Sequence, residues 1–101
     1  MNFPSQMYID GELTDGASTK VVINPATESC VATVATAGLQ DAERALQAAR
    51  AAVPIWGATS IAERQKWMLA LRDEVIAQED FLRSCVHYEM GKPWSQTEEG
   101  A

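Results

Sequence analysis

The stretch EMGKPWSQ, residues 89–96, decides between two folds for this chain. A phosphate-binding loop of the Walker A type has the pattern G-x-x-x-x-G-K-[ST], in which glycine amides wrap the phosphates. Here Val86 occupies the position of the first glycine, and Pro93 occupies that of the hydroxyl residue. The alternative explains each residue, because Gly91 suits the left-handed position after a helix and Pro93 suits the first turn of a new one. We therefore interpret the stretch as a helix–glycine–helix joint.

The segment from Gly38 onward is predicted to form the first of three helices before this joint. Its predicted buried stripe is rich in small side chains and comprises Ala42, Ala45, Leu46, Ala49, Val53 and Trp56. Pro54 cannot donate a backbone hydrogen bond, so we expect it to end or kink this helix near Val53. The sequence SIAE at 60–63 is a capping box and predicts the start of the second helix, which reaches about Gln78.

The second helix has an unusually wide apolar surface. Its apolar residues cover an arc of about half the circumference. They are Ile61, Trp67, Met68, Leu69, Leu71, Val75 and Ile76. Arg64 and Arg72 fall inside this arc, and two interpretations are open. They pair with carboxylates that can lie outside this chain, or they extend along the rim to water, which we favour.

The third helix is predicted over about Glu79 to Met90, and a fourth begins at Pro93. The chain ends at Ala101, only a few residues into that fourth helix. We therefore expect this sequence to be a truncated piece of a longer protein.

The first third of the chain predicts a small β-unit. Asp10-Gly11, within MYIDGEL at 7–13, is a signal for a two-residue hairpin turn. KVVINP at 20–25 is typical of a strand that Asn-Pro stops, and CVATVATA at 30–37 is typical of another strand. The predicted fold class is an α+β fragment, with a small antiparallel β-unit over 1–37 and a helical part over 38–101. This part has three helices and the start of a fourth.

Length, composition and charge exclude several classes of function. The chain has 101 residues, of which 47% are hydrophobic, and a formal net charge of -6. Such an acidic balance argues against nucleic acid or an anionic membrane as a partner. The start MNFPSQMYID lacks the basic and apolar regions of a signal peptide, and no apolar run approaches membrane-spanning length. We expect a cytoplasmic protein.

The cysteines and the only histidine do not predict a catalytic dyad. Cys30 and Cys85 form no C-x-x-C motif, and we interpret them as buried or half-buried thiols in a reducing cytosol. His87 lies two residues from Cys85, a spacing that directs the two side chains apart on a helix. We therefore expect His87 to be a surface or flanking helix residue.

No motif for a metal, a dinucleotide or an activated nucleophile is present in the sequence. It contains no H-x-x-H, H-E-x-x-H, G-x-G-x-x-G or G-x-S-x-G and no metal-spaced set of cysteines. Trp56, Trp67 and Trp94 are expected to be core or interface anchors, because no basic residues interleave with them. The residues alone therefore predict a soluble α+β unit with no complete active site, and no catalytic or cofactor-binding residue is assigned.

Six short pieces, taken in order, resemble a known family. They are YIDGEL, INPATE, VATV, DAERALQAARAAVPIW, ERQKWMLALRDEV and EMGKP. Their order and spacing resemble the N-terminal segment of the NAD(P)-dependent aldehyde dehydrogenase superfamily. The similarity runs from about Tyr8 to the end of the chain.

The resemblance implies a parent enzyme that oxidises an aldehyde to a carboxylate with NAD or NADP. This chain would then be the N-terminal part of its Rossmann-like α/β cofactor domain. In that family the nucleophilic cysteine, the glutamate that helps hydrolysis and the asparagine that holds the oxyanion all lie downstream. None of their motifs occurs here, and Ser95 is not assigned the oxyanion role because PWS at 93–95 lies in the Gly-Lys-Pro joint.

The implied partners follow from the same resemblance. They are the remainder of the parent chain, a small aldehyde and further copies in a homo-oligomer. The 101-residue chain by itself is predicted to be inactive and not to bind the cofactor.

The resemblance also implies a structural Na⁺ or K⁺ site. In several members the ligands are two backbone carbonyls just before Asn-Pro and an acidic side chain two residues before Gly-Lys. These positions are Val22, Ile23 and Glu89 here, where the family often has Asp in place of Glu, and at least one further ligand comes from downstream. The residues give an independent reason, because Glu89 lies in the last turn of the third helix. The negative helix end there disfavours a carboxylate by roughly 0.3–1 kcal/mol. A solvated Glu89 is one interpretation, which we would favour for a generic protein, and a bound cation that neutralises both the carboxylate and the nearby carbonyls is the other.

A second interpretation is a self-sufficient, non-catalytic helical interaction domain with the same shape. A reading frame that continues well past residue 101 supports the dehydrogenase, and a natural stop there supports the interaction domain.

Overall fold

Two strand pairs and three helices follow one another along the chain in the computed structural model, which describes residues 3–97. The elements are β1 (Met7–Ile9), β2 (Glu12–Thr14), β3 (Ser18–Ile23), β4 (Cys30–Thr36), α1 (Leu39–Gly57), α2 (Ile61–Ala77), α3 (Glu79–Met90) and a 3₁₀ turn (Trp94–Gln96). The predicted α+β class, with its strands before its helices, is confirmed.

The first hairpin joins β1 and β2 through Asp10 and Gly11. The strands are antiparallel, with Met7 opposite Thr14 and Ile9 opposite Glu12. Asp10 has φ 52° and Gly11 has φ 78°. Two consecutive positive φ values are what a type I′ turn requires, and this turn matches the twist of the flanking strands. The hairpin predicted from Asp-Gly is confirmed.

The second strand pair joins β3 and β4. The side chains of Ser18, which begins β3, and Thr36, which ends β4, are hydrogen-bonded, so the two strands run antiparallel. β3 ends at Ile23, directly before Asn-Pro, because Pro25 cannot donate to a strand ladder. The strand boundary predicted at Asn-Pro is therefore confirmed.

Gly38 caps the N-terminus of α1, where Asp41 closes the first turn. The Gly38 amide donates to Asp41 Oδ2 at 2.9 Å, and Arg44 Nη2 pairs with Asp41 Oδ1 at 3.1 Å. The Gly38 amide lowers the pKa of Asp41, partial burial opposes this, and Arg44 acts with the amide. A carboxylate in the first turn also complements the positive helix end.

Of the two outcomes expected at Pro54, an end of α1 near Val53 is wrong, because the helix runs through Pro54 to Gly57, and a kink there stays a prediction. Pro54 lies in the last turns, where its missing amide costs one hydrogen bond and leaves the following turn intact. The Pro54 carbonyl still accepts from the Ala58 amide at 3.2 Å. Proline therefore does not stop this helix.

The face of α1 that lines a cleft with the first hairpin is not the face predicted from the sequence. The cleft is lined from α1 by Arg44, Gln47, Ala48 and Ala51. At 100° per residue these positions lie on the side opposite the predicted stripe. Leu46, Val53 and Trp56 of that stripe remain 51%, 67% and 45% exposed. The apolar stripe of α1 is thus available for contacts other than the hairpin.

α2 and α3 follow the predicted boundaries closely. Ser60 Oγ accepts the Glu63 amide at 3.1 Å, which is one half of the predicted capping box, and α2 ends one residue before Gln78. α3 covers Glu79–Met90 as predicted.

The element after the joint differs from the prediction. A single 3₁₀ turn, Trp94–Gln96, stands where a fourth helix was predicted to begin at Pro93. Pro93 has an extended ψ of 141°, so it precedes the turn instead of forming its first helical residue. The predicted continuation through 98–101 lies outside the described residues.

The chain divides into two compact units. Among the described residues, one contains 3–22 and 32–58, and the other contains 23–31 and 59–97. Within residues 3–97 no hydrophobic side chain is buried, and the buried residues are Asn24, Ser84 and Thr97. Ile61, Trp67 and Met68 on the apolar arc of α2 are 83%, 61% and 61% exposed. This arc therefore remains uncovered in the part of the chain that the structure describes.

The two arginines inside the arc have local partners. Arg72 is 61% exposed and pairs with Asp73 at 2.8 Å, which agrees with the interpretation that it extends to water. Arg64 is half-buried, and its Nε donates to Thr59 Oγ1 at 3.1 Å.

Among residues 3–97, the structure contains no helix with the length and hydropathy needed to cross a bilayer.

We predict that Gly11→Ala weakens the first hairpin by about 1–2 kcal/mol, because alanine is strained at a positive φ. Gly57→Ala is the matched control. No atom lies within 4 Å of a Cβ at this helical glycine, so the change should stabilise α1 by up to about 1 kcal/mol. Amide hydrogen exchange resolved to each element in the full-length protein measures both effects. Equal exchange rates in the hairpin of Gly11→Ala and of wild type would contradict the turn assignment.

Candidate functional site

Glu89 is the penultimate residue of α3, and its side chain is exposed. It lies at the helix end where backbone carbonyls carry partial negative charge and lack intrahelical donors. The Gly91 amide donates to the His87 carbonyl at 3.1 Å and closes the last turn. The position therefore combines a carboxylate with the negative end of a helix, as the sequence predicted.

The end of α3 lies against the turn that follows β3. Gly91 has φ 67°, and a Cβ built on it would lie 3.0 Å from Pro25 Cγ and 3.2 Å from the Ala26 amide nitrogen. Only glycine combines this backbone conformation with such a close approach. The turn directly after Ile23 is thus in contact with the helix end that carries Glu89, and Ile23 and Glu89 belong to the same compact unit.

Asn24 fixes the course of that turn. Its side-chain Oδ1 accepts a hydrogen bond from the Ala26 amide at 2.9 Å. Its backbone amide donates to the Ser29 carbonyl at 2.9 Å, and its backbone carbonyl accepts from the Glu28 amide at 2.7 Å. Asn24 is only 7% exposed. The bond from the Asn24 backbone amide fixes the orientation of the Ile23–Asn24 peptide, which carries the Ile23 carbonyl.

The oxygen chemistry of the predicted site suits a hard cation. Two backbone carbonyls and a carboxylate are the donors that Na⁺ and K⁺ share with other hard cations. Between Phe3 and Thr97 no group of three or more His, Cys, Asp or Glu side chains could hold a metal ion. A site of carbonyls and one carboxylate does not need such a group, so Val22, Ile23 and Glu89 remain a prediction.

The two cysteines are free, and their surroundings differ. Cys85 is half-buried as predicted, and burial, followed by the negative charge of Glu89, raises the pKa of its thiol. Cys30 is exposed at the first residue of β4, so the expectation of a buried or half-buried thiol is wrong for this cysteine. A strand of a two-stranded sheet has too little covering structure to bury it.

His87 is engaged away from Cys85. Its Nδ1 is hydrogen-bonded to the Lys92 carbonyl at 2.7 Å. A thiol nucleophile requires a lowered pKa and an adjacent base. The raised pKa of Cys85 and the bond of His87 to Lys92 argue against a dyad.

The tryptophans are not core residues in the described part of the chain. Trp56, Trp67 and Trp94 are 45%, 61% and 42% exposed. Trp94 lies beneath Arg83, with the guanidinium carbon 4.6 Å from the ring centroid. No sequence signal pointed to Arg83, because its partners approach only through the chain reversal at Gly91.

The comparison with known families gives a match along most of the chain. The model of the aldehyde dehydrogenase family matches residues 13–101. The chain belongs to the aldehyde dehydrogenase family. The predicted resemblance is therefore confirmed.

Individual relatives share about a third of the residues of this aldehyde dehydrogenase segment. It is 34% identical over 96 residues to a glutarate-semialdehyde dehydrogenase of Pseudomonas putida, covering 93% of this chain and 20% of the relative. It is 32% identical over 93 residues to aminoaldehyde dehydrogenase 2 of Solanum lycopersicum, covering 88% and 18%. The segment thus spans about a fifth of the length of these relatives.

Solved structures of the family share the fold of this segment. A succinate-semialdehyde dehydrogenase from Burkholderia pseudomallei matches with a TM-score of 0.89 and 33% identity, covering 95% of this chain and 20% of the other. A mutant of aldehyde dehydrogenase C from Pseudomonas syringae, in complex with NAD⁺ and octanal, matches with a TM-score of 0.88 and 34% identity over 93% of this chain and 20% of the other. The strand pairs and helices described above are therefore a piece of the aldehyde dehydrogenase fold.

We predict that Glu89→Gln makes Cys85 more reactive towards iodoacetamide at a given pH. Removing the neighbouring negative charge lowers the raised pKa of the thiol, so the pH profile of alkylation shifts to lower pH. Labelling is followed by mass spectrometry of the peptide that contains Cys85. Glu43→Gln, an exposed carboxylate on α1, is the control and should leave the profile in place. Identical profiles for wild type and Glu89→Gln would show that Glu89 does not act on Cys85.

Proposed function

We propose that the complete protein containing this segment oxidises an aldehyde to a carboxylate with NAD⁺ or NADP⁺. The observation that carries the proposal is the family match over residues 13–101, and the TM-scores of 0.88 and 0.89 support it independently of sequence identity. This segment supplies no catalytic or cofactor-binding residue that we can assign. Its part in the reaction is structural.

The substrate class is an aldehyde. The named relatives act on glutarate semialdehyde and aminoaldehydes, and one structural neighbour holds octanal. These molecules share the aldehyde group and differ in charge and length. The proposal therefore names the aldehyde group as the reacting group and does not name one aldehyde. NAD⁺ is the cofactor named in the Pseudomonas syringae complex and is the first cofactor to test.

The segment is proposed to brace the cofactor domain of the parent enzyme. No hydrophobic side chain of residues 3–97 is buried within the segment, although 47% of the chain is hydrophobic. Covering such apolar surface with another surface removes it from water and lowers the free energy. The proposed partners are the remainder of the parent chain and further copies in a homo-oligomer, in the cytoplasm.

A self-sufficient interaction domain is the second candidate. Trp67 on the apolar arc of α2 is 61% exposed, so this arc could form a contact surface for a separate binding partner as well as for the rest of an enzyme. The length of the reading frame and the assay below distinguish the two.

We predict aldehyde-dependent reduction of NAD⁺ or NADP⁺ by the full-length protein and none by the 101-residue polypeptide. Absorbance at the nicotinamide band measures the rate with a panel of semialdehydes, aminoaldehydes and aliphatic aldehydes. Turnover by the verified 101-residue polypeptide, free of full-length enzyme, would overturn the structural role. A full-length protein inactive on every aldehyde, or a natural stop at residue 101, would favour the interaction domain.

The cation site is a second proposal for the parent enzyme. The carbonyls of Val22 and Ile23 and the carboxylate of Glu89 would hold Na⁺ or K⁺ together with a ligand from downstream. Support comes from Gly91, whose close approach to Pro25 and Ala26 places the end of α3 against the turn after Ile23. The ion would supply positive charge at the negative end of α3, which is an effect on stability and not on the chemical step.

We predict that K⁺ or Na⁺ raises the thermal unfolding midpoint of the full-length protein relative to the same concentration of tetramethylammonium. A bound ligand stabilises the folded state by mass action. Glu89→Gln should remove most of this difference, and Glu89→Asp should keep part of it, because aspartate retains the charge. Glu43→Gln is the control for a lost surface charge. Equal cation responses of wild type and Glu89→Gln would exclude Glu89 as a ligand.

A further inference from the structure

After Gly91 the chain folds back along α3. Residues 92–97, which we call the strap, run over one stripe of the helix. The Lys92 carbonyl is hydrogen-bonded to His87 Nδ1 at 2.7 Å, and the Trp94 carbonyl accepts a hydrogen bond from Arg83 Nη2 at 3.1 Å. His87 and Arg83 are one helical turn apart on the same face. The strap therefore returns towards the N-terminal end of α3.

Arg83 makes most of the side-chain contacts that hold the strap. Its Nε donates to Thr97 Oγ1 at 2.9 Å, and its Nη2 donates to the Trp94 carbonyl. Its guanidinium also stacks 4.6 Å from the Trp94 ring centroid. Glu79 lies 3.7 Å from Nη1 on the next turn of α3 and orients the guanidinium from the other side. The Arg83 side chain is 18% exposed, so these contacts are partly shielded from water.

Thr97 completes a closed triangle of hydrogen bonds. Its hydroxyl accepts from Arg83 and donates to the Trp94 carbonyl at 2.7 Å. Thr97 is 0% exposed and is the largest fully buried side chain among residues 3–97. A buried hydroxyl that loses its hydrogen-bond partner destabilises the folded state, because its lost hydration is no longer compensated. The triangle therefore favours one conformation of the strap.

Hydrogen bonds and ring contacts from Arg83 and His87 join the strap to the helix. Trp94, the large apolar side chain of the strap, is 42% exposed, and its ring contacts Arg83 and lies in a T-shaped arrangement with the His87 ring. Trp94 is thus only partly buried, and loss of the guanidinium fork would remove two hydrogen bonds and the cation–π contact together.

We propose that Arg83 is a positioning residue that clamps the strap onto α3 and so fixes the course of the chain after Gly91. The clamp is independent of the proposed enzymatic function, since every contact lies within residues 79–97. Arginine suits this position because its rigid fork directs Nε and Nη2 at the Thr97 hydroxyl and the Trp94 carbonyl while its flat face stacks on Trp94, whereas lysine offers one nitrogen and no flat face.

Hydrogen exchange in the full-length protein tests the clamp. The amides of Gln96 and Thr97 donate to the carbonyls of Pro93 and Trp94 at 2.9 and 3.1 Å and report whether the strap is closed. Arg83→Met should raise their exchange rates at least about tenfold, because hydrogen bonds to a charged group are lost. Arg83→Lys should give a smaller increase, and exchange at residues 82–90 of α3 should change less than exchange in the strap.

Thr97→Val removes the hydroxyl and leaves Arg83 in place, so it tests the triangle even where Arg83→Met fails to fold. It should also open the strap, and the double variant Arg83→Met/Thr97→Val should add little to the larger single effect. Arg72→Met, an exposed arginine on α2 paired with its neighbour Asp73, is the matched control and should leave the strap unchanged. Unchanged strap exchange in Thr97→Val, or equal increases along α3 and the strap in Arg83→Met, would overturn the proposal.

Discussion

The left-handed turn at Gly91 is the constraint on which the described features of the second unit depend. Its φ of 67° ends α3, and its missing Cβ lets Pro25 and Ala26 approach the helix end. The same turn sends residues 92–97 back along α3 to Arg83. A side chain at this position would be strained and would also push away the turn after Ile23. One backbone conformation thus determines the surroundings of Glu89 and the path of the strap.

The helices and strands of this segment are well defined, although the segment buries no hydrophobic side chain among residues 3–97. The local order is seen in the helix caps at α1 and α2, the turn at Asp10-Gly11 and the left-handed end of α3. Burial of apolar surface is the main favourable contribution to folding. A segment of this kind has well-defined elements and little stabilisation of its own, which is physically consistent with about a fifth of a larger family fold.

Electrostatics at the end of α3 connects the candidate site with Cys85. Glu89 adds negative charge near a helix C-terminus and, after burial, raises the pKa of the Cys85 thiol. Neutralising that carboxylate would relieve both effects, whether the agent is a bound cation or a substitution. A raised pKa lowers the fraction of Cys85 that is thiolate at a given pH, and the thiolate is the nucleophilic form.

The sequence by itself determined the family, the order of the elements and the features that depend on near neighbours. Asp10-Gly11, Ser60 with Glu63, and Gly91 each act within a few residues, so their turn and caps were predictable. Tertiary structure alone decided which face of α1 meets the hairpin, how exposed Cys30 is, and that Arg83 clamps Trp94 and Thr97. These depend on residues brought together by chain reversal, which periodicity cannot encode. For Glu89 the sequence located the helix end, and only the fold placed the turn after Ile23 beside it.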